Sequence, residues 1–373
     1  MKKLEELAHF SQSVWLDNIN RKLFATGRLK ELIGLGLLGM TSNPTIFENA
    51  ITKSDDYDEE ILTLAKAGKS TFEIYDELTV RDIQKAADLF HPVFESTRGV
   101  DGYVSLEINP LLARKTRETI EEGKRLHGKV QRPNLMLKVP STDEGFDAVE
   151  ALTSLGMNVN VTLIFSRTQY KNTVEAYLRG IRKFINSGGD ARKVRSVASV
   201  FVSRVDTLAD KMLEEKMASE ECRAIRGSME PMKGKAAVAN SLAIYKIHRE
   251  LFSSPQFLEL KDKGAHHQRP LWASTGTKNP AYSDIKYVEE LMVKNTVNTM
   301  PETTLAAFMD HGRIADVEIN CGEAEDTILW FAEKGIDIDN VCQKLLTDGV
   351  AAFARSFESL LASIETKAQK LHV

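Results

Sequence analysis

Asn134-Leu135-Met136-Leu137-Lys138-Val139-Pro140-Ser141-Thr142 is an apolar run broken by one lysine. In a strand, Leu135, Leu137 and Val139 share one face, and Met136 and Lys138 share the other. Pro140 cannot donate to a ladder and stops it. Thr142 then stands as N-cap to a helix whose apolar positions are Phe146, Val149, Leu152 and Leu155. A lysine on a buried strand is costly unless it is neutral or paired. One reading makes Lys138 an amine nucleophile toward a carbonyl substrate. The plainer one packs its stem on the sheet and sends the ammonium to water.

The same strand-then-helix pattern recurs along the chain. Short strands are predicted at Ser13–Asp17, Leu38–Pro44, Tyr103–Glu107, Asn158–Leu163, Val197–Val202 and Leu271–Ser274, with an eighth near Asn295–Asn298. Helical stretches separate them. The clearest piece of the second interval starts near Thr79 as N-cap, and residues 167–186 end in Ser187-Gly188-Gly189. The last helix carries Val350, Phe353, Ala354, Phe357, Leu360, Leu361 and Ile364 on one broad apolar face. No linker or repeat divides the chain. Residues 1–373 therefore read as one α/β domain, a single (β/α)8 TIM-type barrel with additional helical insertions and a C-terminal helix. An open doubly wound sheet is the alternative, but no strand is followed by G-x-G-x-x-G.

Strand parity locates the chemistry. One parity is aliphatic: Val14/Leu16, Val104/Leu106, Leu135/Leu137, Val159/Val161, Ala198/Val200 and Leu271/Ala273. The other delivers Asp17, Thr41 with Asn43, Glu107, Lys138, Asn160 with Thr162, Ser199 and Ser274 near the strands' carboxyl ends. In such barrels those ends form the active-site mouth. An antiparallel sheet with one wet face gives the same alternation, but the intervening helices argue against it. Arg204 and Lys278 follow strands six and seven, where a barrel commonly holds phosphate; Ser274 and the Gly276 backbone suit a monophosphate. Arg167 is a weaker candidate.

The chain has 373 residues, a net charge of -4 and 42% hydrophobic residues, an ordinary balance for a globular protein. That charge offers no footprint for nucleic acid, and no apolar run reaches membrane-span length. Cys222, Cys321 and Cys342 make no paired framework and read as isolated packing residues. With a charged, non-signal N-terminus, they fit a cytoplasmic location. His266-His267 lie in a polar stretch and read as solvated loop residues; no metal-ligand spacing is present.

Eight segments together resemble the transaldolase family in its longer bacterial form: SQSVWLDNINR, GMTSNPTIFE, YVSLEINP, PNLMLKVPST, NVNVTLIFSRTQY, ASVFVSRVD, LWASTGTKNPAYSD and VNTMPETTLAAFMDHG. The resemblance implies a Schiff-base aldolase barrel needing no metal or other cofactor. It implies transfer of a dihydroxyacetone unit from a ketose phosphate, such as sedoheptulose 7-phosphate or fructose 6-phosphate, to an aldose phosphate. The acceptor would be glyceraldehyde 3-phosphate or erythrose 4-phosphate, within pentose phosphate metabolism.

Carried over by position, Lys138 is the Schiff-base lysine and Asp17 handles the C4 hydroxyl proton. Glu107 and Thr162 hold the water of carbinolamine dehydration. Thr41, Asn43, Asn160, Ser199 and Phe201 line the sugar site, and Arg204, Ser274 and Lys278 form the phosphate end. Shorter relatives carry an arginine where this chain has Lys278, a point charge without the bidentate fork. Simple fructose 6-phosphate cleavage, a silent sugar-phosphate-binding barrel and a metal-dependent aldolase are the competing readings. A monomer and a homodimer are both compatible with the sequence.

Overall fold

The computed structural model describes residues 3–219, 223–315 and 321–371. Eight parallel strands close into a barrel in sequence order. They are β1 (Gln12–Asp17), β2 (Gly39–Thr41), β3 (Tyr103–Glu107), β4 (Leu135–Pro140), β5 (Val159–Ile164), β6 (Ser196–Phe201), β7 (Arg269–Ala273) and β8 (Thr296–Met300). β8 returns to pair with β1, Gln12 beside Thr296 and Leu16 beside Met300. A helix or helices follow each strand. Parallel strands require such crossovers, and the helices cover the outer aliphatic face. Val14, Leu16, Val104, Leu106, Leu137, Val159, Val161, Ala198 and Val200 are accordingly buried.

Register fixes which side chains point inward, because laterally paired residues share a face. Asp17 lies beside Thr41. Glu107 lies beside Lys138, and Lys138 beside Asn160. Strand seven departs from the expected parity. Leu271 pairs with Ser199 and Ala273 with Phe201, so Leu271 and Ala273 face inward and Trp272 shares the outer face of Val200. Both faces of a barrel strand are buried, so alternation among Leu, Trp and Ala carries no inside-outside signal. Ser274 still reaches the mouth: its φ of 55° turns the chain just after the strand.

Part of the space near the strands' amino ends is taken up by inward side chains. Trp15 lies inside the ring opposite Gly39, where a Cβ would sit 2.6 Å from the indole. Glycine at 39 is what admits the tryptophan. Asp101 accepts from Trp15 Nε1 (3.1 Å), Ser13 Oγ (2.8 Å) and Arg269 Nη2 (2.8 Å).

Local signals set several helix starts. Thr142 accepts from Gly145 N at 3.0 Å, as its position predicts. Thr79 does not cap. It sits inside the helix Thr71–Ser96, with its hydroxyl bonded to Tyr75 O, and Ser70 with Glu73 forms the capping box. The Ser70–Glu73 pair outcompetes Thr79 because it satisfies two end amides reciprocally. The C-terminal helix Ile338–Leu371 is the longest. It packs on the helices Pro44–Thr52 and Asp58–Lys66 and beside β5. Phe357 meets Tyr75 edge-on at 5.1 Å, and Ser356 Oγ lies 2.8 Å from Thr45 Oγ1.

Cys342 is buried, donates to Phe165 O at 3.3 Å, and has its thiol pushed up to about 12 by burial. Cys222 and the side chain of Cys321 lie outside the described residues. His266 and His267 are not the solvated pair expected. Both are half-buried, and His267 stacks on Phe252 at 4.8 Å.

Candidate active site

Lys138 rises from β4 with 5% of its side chain exposed. Its Nζ lies 3.0 Å from Glu107 Oε2 and donates to Ser42 O at 3.0 Å. The carboxylate contact is a close ion pair, and among the described residues no other donor reaches Oε2. Burial pushes the Glu107 carboxyl above the usual range; the Lys138 charge pulls it back. On the opposite wall Asp17 accepts from Thr41 Oγ1 at 2.8 Å. Desolvation likewise raises Asp17, against Lys138, Thr41, Lys278 and Arg204.

These groups open on a cavity of about 210 Å³ at the carboxyl ends of the strands. Ten of the sequence-selected residues line it: Asp17, Thr41, Asn43, Lys138, Thr162, Ser199, Phe201, Arg204, Ser274 and Lys278. Glu107 and Asn160 stand one layer back. Glu107 is held by Lys138; Asn160 donates to Ser105 Oγ (3.0 Å) and accepts from Ser199 Oγ (2.7 Å). Asn43 has a second task, capping the following helix through Ile46 N at 2.9 Å. Arg167 pairs with Asp339 at 3.0 Å and is not among the cavity residues.

Thr162 faces the cavity by strand parity, pairing with Pro140 as Asn160 pairs with Lys138, and the strand becomes irregular just beyond it. The β5–β6 register shifts between Val161 and Ile164, and Leu163 takes φ 60°. Thr162 Oγ1 is buried and has no hydrogen-bond partner among the described residues, a spare group at the cavity wall.

The phosphate-end candidates come from two elements tied together. Arg204 opens the helix Ser203–Ser219 and lies over the Phe201 ring at 5.3 Å. Burial lowers its guanidinium from the ordinary value; Asp17 opposes this. Farther along the same helix, Asp206 accepts from Tyr287 OH (2.8 Å) and Asp210 from Tyr282 OH (2.7 Å). Both tyrosines belong to the segment after β7 that carries Lys278. Burial raises the Asp206 carboxyl to about 6.

Some lining residues escaped sequence reasoning. Thr299 Oγ1 lies 2.7 Å from Thr41 Oγ1. Its inward parity follows from pairing with Trp15, but the eighth strand begins and ends later than expected. Phe353 reaches the cavity from the C-terminal helix. It was legible as apolar; nothing in a helical stripe tells which member tips over a distant mouth.

Among the described residues, no group of three His, Cys, Asp or Glu is placed to hold a metal, and no helix is long and apolar enough to cross a membrane. A (β/α)8 barrel that gathers an amine, two raised carboxyls, hydroxyls and cationic side chains around one cavity has the form of an enzyme site. The family model for transaldolase/fructose-6-phosphate aldolase matches residues 14–364. A transaldolase of Trichodesmium erythraeum is 43% identical over 372 residues, 99% of this chain and 98% of the relative. Transaldolases of Saccharopolyspora erythraea and Thiobacillus denitrificans are each 44% identical, over 97% and 96% of this chain and 96% and 99% of theirs. The chain belongs to the transaldolase/fructose-6-phosphate aldolase family.

Proposed function

We propose that this chain is a transaldolase, moving a dihydroxyacetone unit between sugar phosphates through a Schiff base on Lys138. The observation that carries the reading is the placement of the Lys138 amine, buried at the cavity wall with Glu107 at 3.0 Å. Near-full-length identity to proteins named transaldolase supports it.

An amine nucleophile must be neutral, and Glu107 supplies the means. Burial favours a carboxylic acid over a carboxylate, so one proton hop across 3.0 Å converts the ion pair into an amine and an acid. Lys138 then adds to the C2 carbonyl of a ketose phosphate. Glu107, with a water held at the free Thr162 hydroxyl, gives and takes the protons that release hydroxide as water. The resulting protonated imine accepts the electron pair of the C3–C4 bond as Asp17 takes the C4 hydroxyl proton. The aldose phosphate leaves; the enamine stays covalently bound. A second aldose phosphate enters and the steps reverse. Asn160, Ser199 and Thr41 bond the sugar hydroxyls or orient the groups that do, Asn43 and Phe201 complete the walls, and Arg204, Ser274 and Lys278 hold the phosphate. Residues 1–373 act in this reading as one barrel domain, in pentose phosphate metabolism and in the cytoplasm.

Borohydride reduction with fructose 6-phosphate, followed by peptide mass mapping, tests the assignment. An adduct on Lys138 is expected; an active preparation with no adduct there sinks it. Free dihydroxyacetone released without an acceptor, at the transfer rate, would make the enzyme a cleaving aldolase instead.

A further inference from the structure

The barrel has a second opening at the amino ends of its strands. A cavity of about 390 Å³ lies there, larger than the one at the carboxyl ends. Its wall includes Met136, Val197 and Arg269, which share the inward face by register. Arg195, two residues before Val197, falls on the same face. Lys261, His266 and His267 close the rim.

The charge of this wall has one sign. Arg269 is neutralised by Asp101 at 2.8 Å. Among the described residues no carboxylate pairs with Arg195; its guanidinium donates to the carbonyls of Arg192 (2.6 Å) and Val194 (3.2 Å). Burial, and the positive charge of Arg269, hold Arg195 below its ordinary value. His266 carries a buried Nε2 with no partner among the described residues, and is lowered to about 4 by burial and then by Arg195. His267 is lowered by burial and then by Lys261. Each cation therefore disfavours charge on its neighbour, and an anion in the cavity would relieve them all. A half-buried concavity of this volume also suits a small ligand rather than a polymer.

We propose that this amino-terminal mouth is a second anion site, taking inorganic phosphate or the phosphate group of a small monoester. Arg195 supplies the planar fork, Lys261 a point charge and His266 Nε2 a polar contact. The site lies at the end of the barrel opposite Lys138, so the same class of group that the catalytic mouth handles is sensed where no chemistry occurs.

Calorimetric titration of the full chain with inorganic phosphate, and separately with glycerol 2-phosphate, tests it. Arg195→Gln and Lys261→Gln should each weaken one binding component by about tenfold or more and leave sugar-transfer activity unchanged. Lys261 is exposed, so its variant keeps the test valid if the arginine variant does not fold. That component should survive Arg204→Gln. Equal affinity for the two probes assigns the site to the free ion; tighter monoester binding assigns it to a phosphorylated metabolite. Unchanged isotherms in Lys261→Gln and folded Arg195→Gln, or loss of all binding in Arg204→Gln, overturn the proposal.

Discussion

At the carboxyl ends of the strands the inward side chains include Asp17, Thr41, Glu107 and Lys138; at the amino ends they include Ser13, Met136, Val197 and Arg269. Each end holds an ion pair built on a buried carboxylate. At the amino end Asp101 is saturated, with donors from Ser13, Trp15 and Arg269 on its two oxygens. At the carboxyl end Glu107 Oε2 and Thr162 Oγ1 keep unused bonding capacity. A saturated pair fixes geometry; an unsaturated one stores capacity for a reacting ligand and a moving proton.

The sharpest way to break this contrast is Lys138→Ala. Transfer should fall by about ten-thousand-fold or more, because nucleophile removal disables every later step. Initial rates with fructose 6-phosphate and an aldose phosphate acceptor would show it, and a variant retaining a tenth of the rate would contradict the assignment. Asp17→Asn should come next, with kcat lower by about a hundred- to ten-thousand-fold. Its pH dependence is informative. The base form of Asp17 is the carboxylate, and burial raises its pKa, so wild-type kcat/KM should decline as pH falls through a value above the ordinary carboxylate range. In Asp17→Asn the residual rate should lack that acid limb; an unchanged limb would assign it to another group.

The amino end should respond in stability instead. Asp101→Ala strands Arg269, a side chain only 16% exposed, and should cost about 3 kcal/mol in urea unfolding with the catalytic rate per folded molecule retained. Loss of kcat at intact stability would show that the two ends are not separable. Phe353→Leu should have the smallest effect, about 1 kcal/mol in stability. Its signature is chemical: a less well covered mouth should leak more free dihydroxyacetone when the acceptor is omitted.

The barrel was legible because its strands alternate and its helices intervene, and most of the cavity was legible for the same reason. Lys138, Glu107 and Asn160 sit side by side as their positions on successive strands imply. What stayed hidden depended on backbone geometry or on distance. The inward face of Leu271 and Ala273 could not be read, because composition is apolar on both sides of β7. The turn at Ser274 and the bulge at Leu163 are positive-φ events at non-glycine residues, which leave no mark in sequence. Phe353, more than two hundred residues beyond Lys138, is brought to the mouth by the C-terminal helix. The polar neighbours of His267 in sequence give no hint of Phe252 and Phe257, which pack against its ring.

Ring closure has a consequence for the order in which the protein comes into being. Gln12 pairs with Thr296, so the first strand waits through most of translation for its second neighbour. Until β8 leaves the ribosome, the outer edges of β1 and β7 are both unpaired, and such edges invite pairing with other chains. Phe353 follows later still. A nascent chain thus carries Lys138 for more than half of its synthesis before the walls that make the amine selective exist. Chaperone dependence should accordingly be greatest for chains that end between β7 and β8.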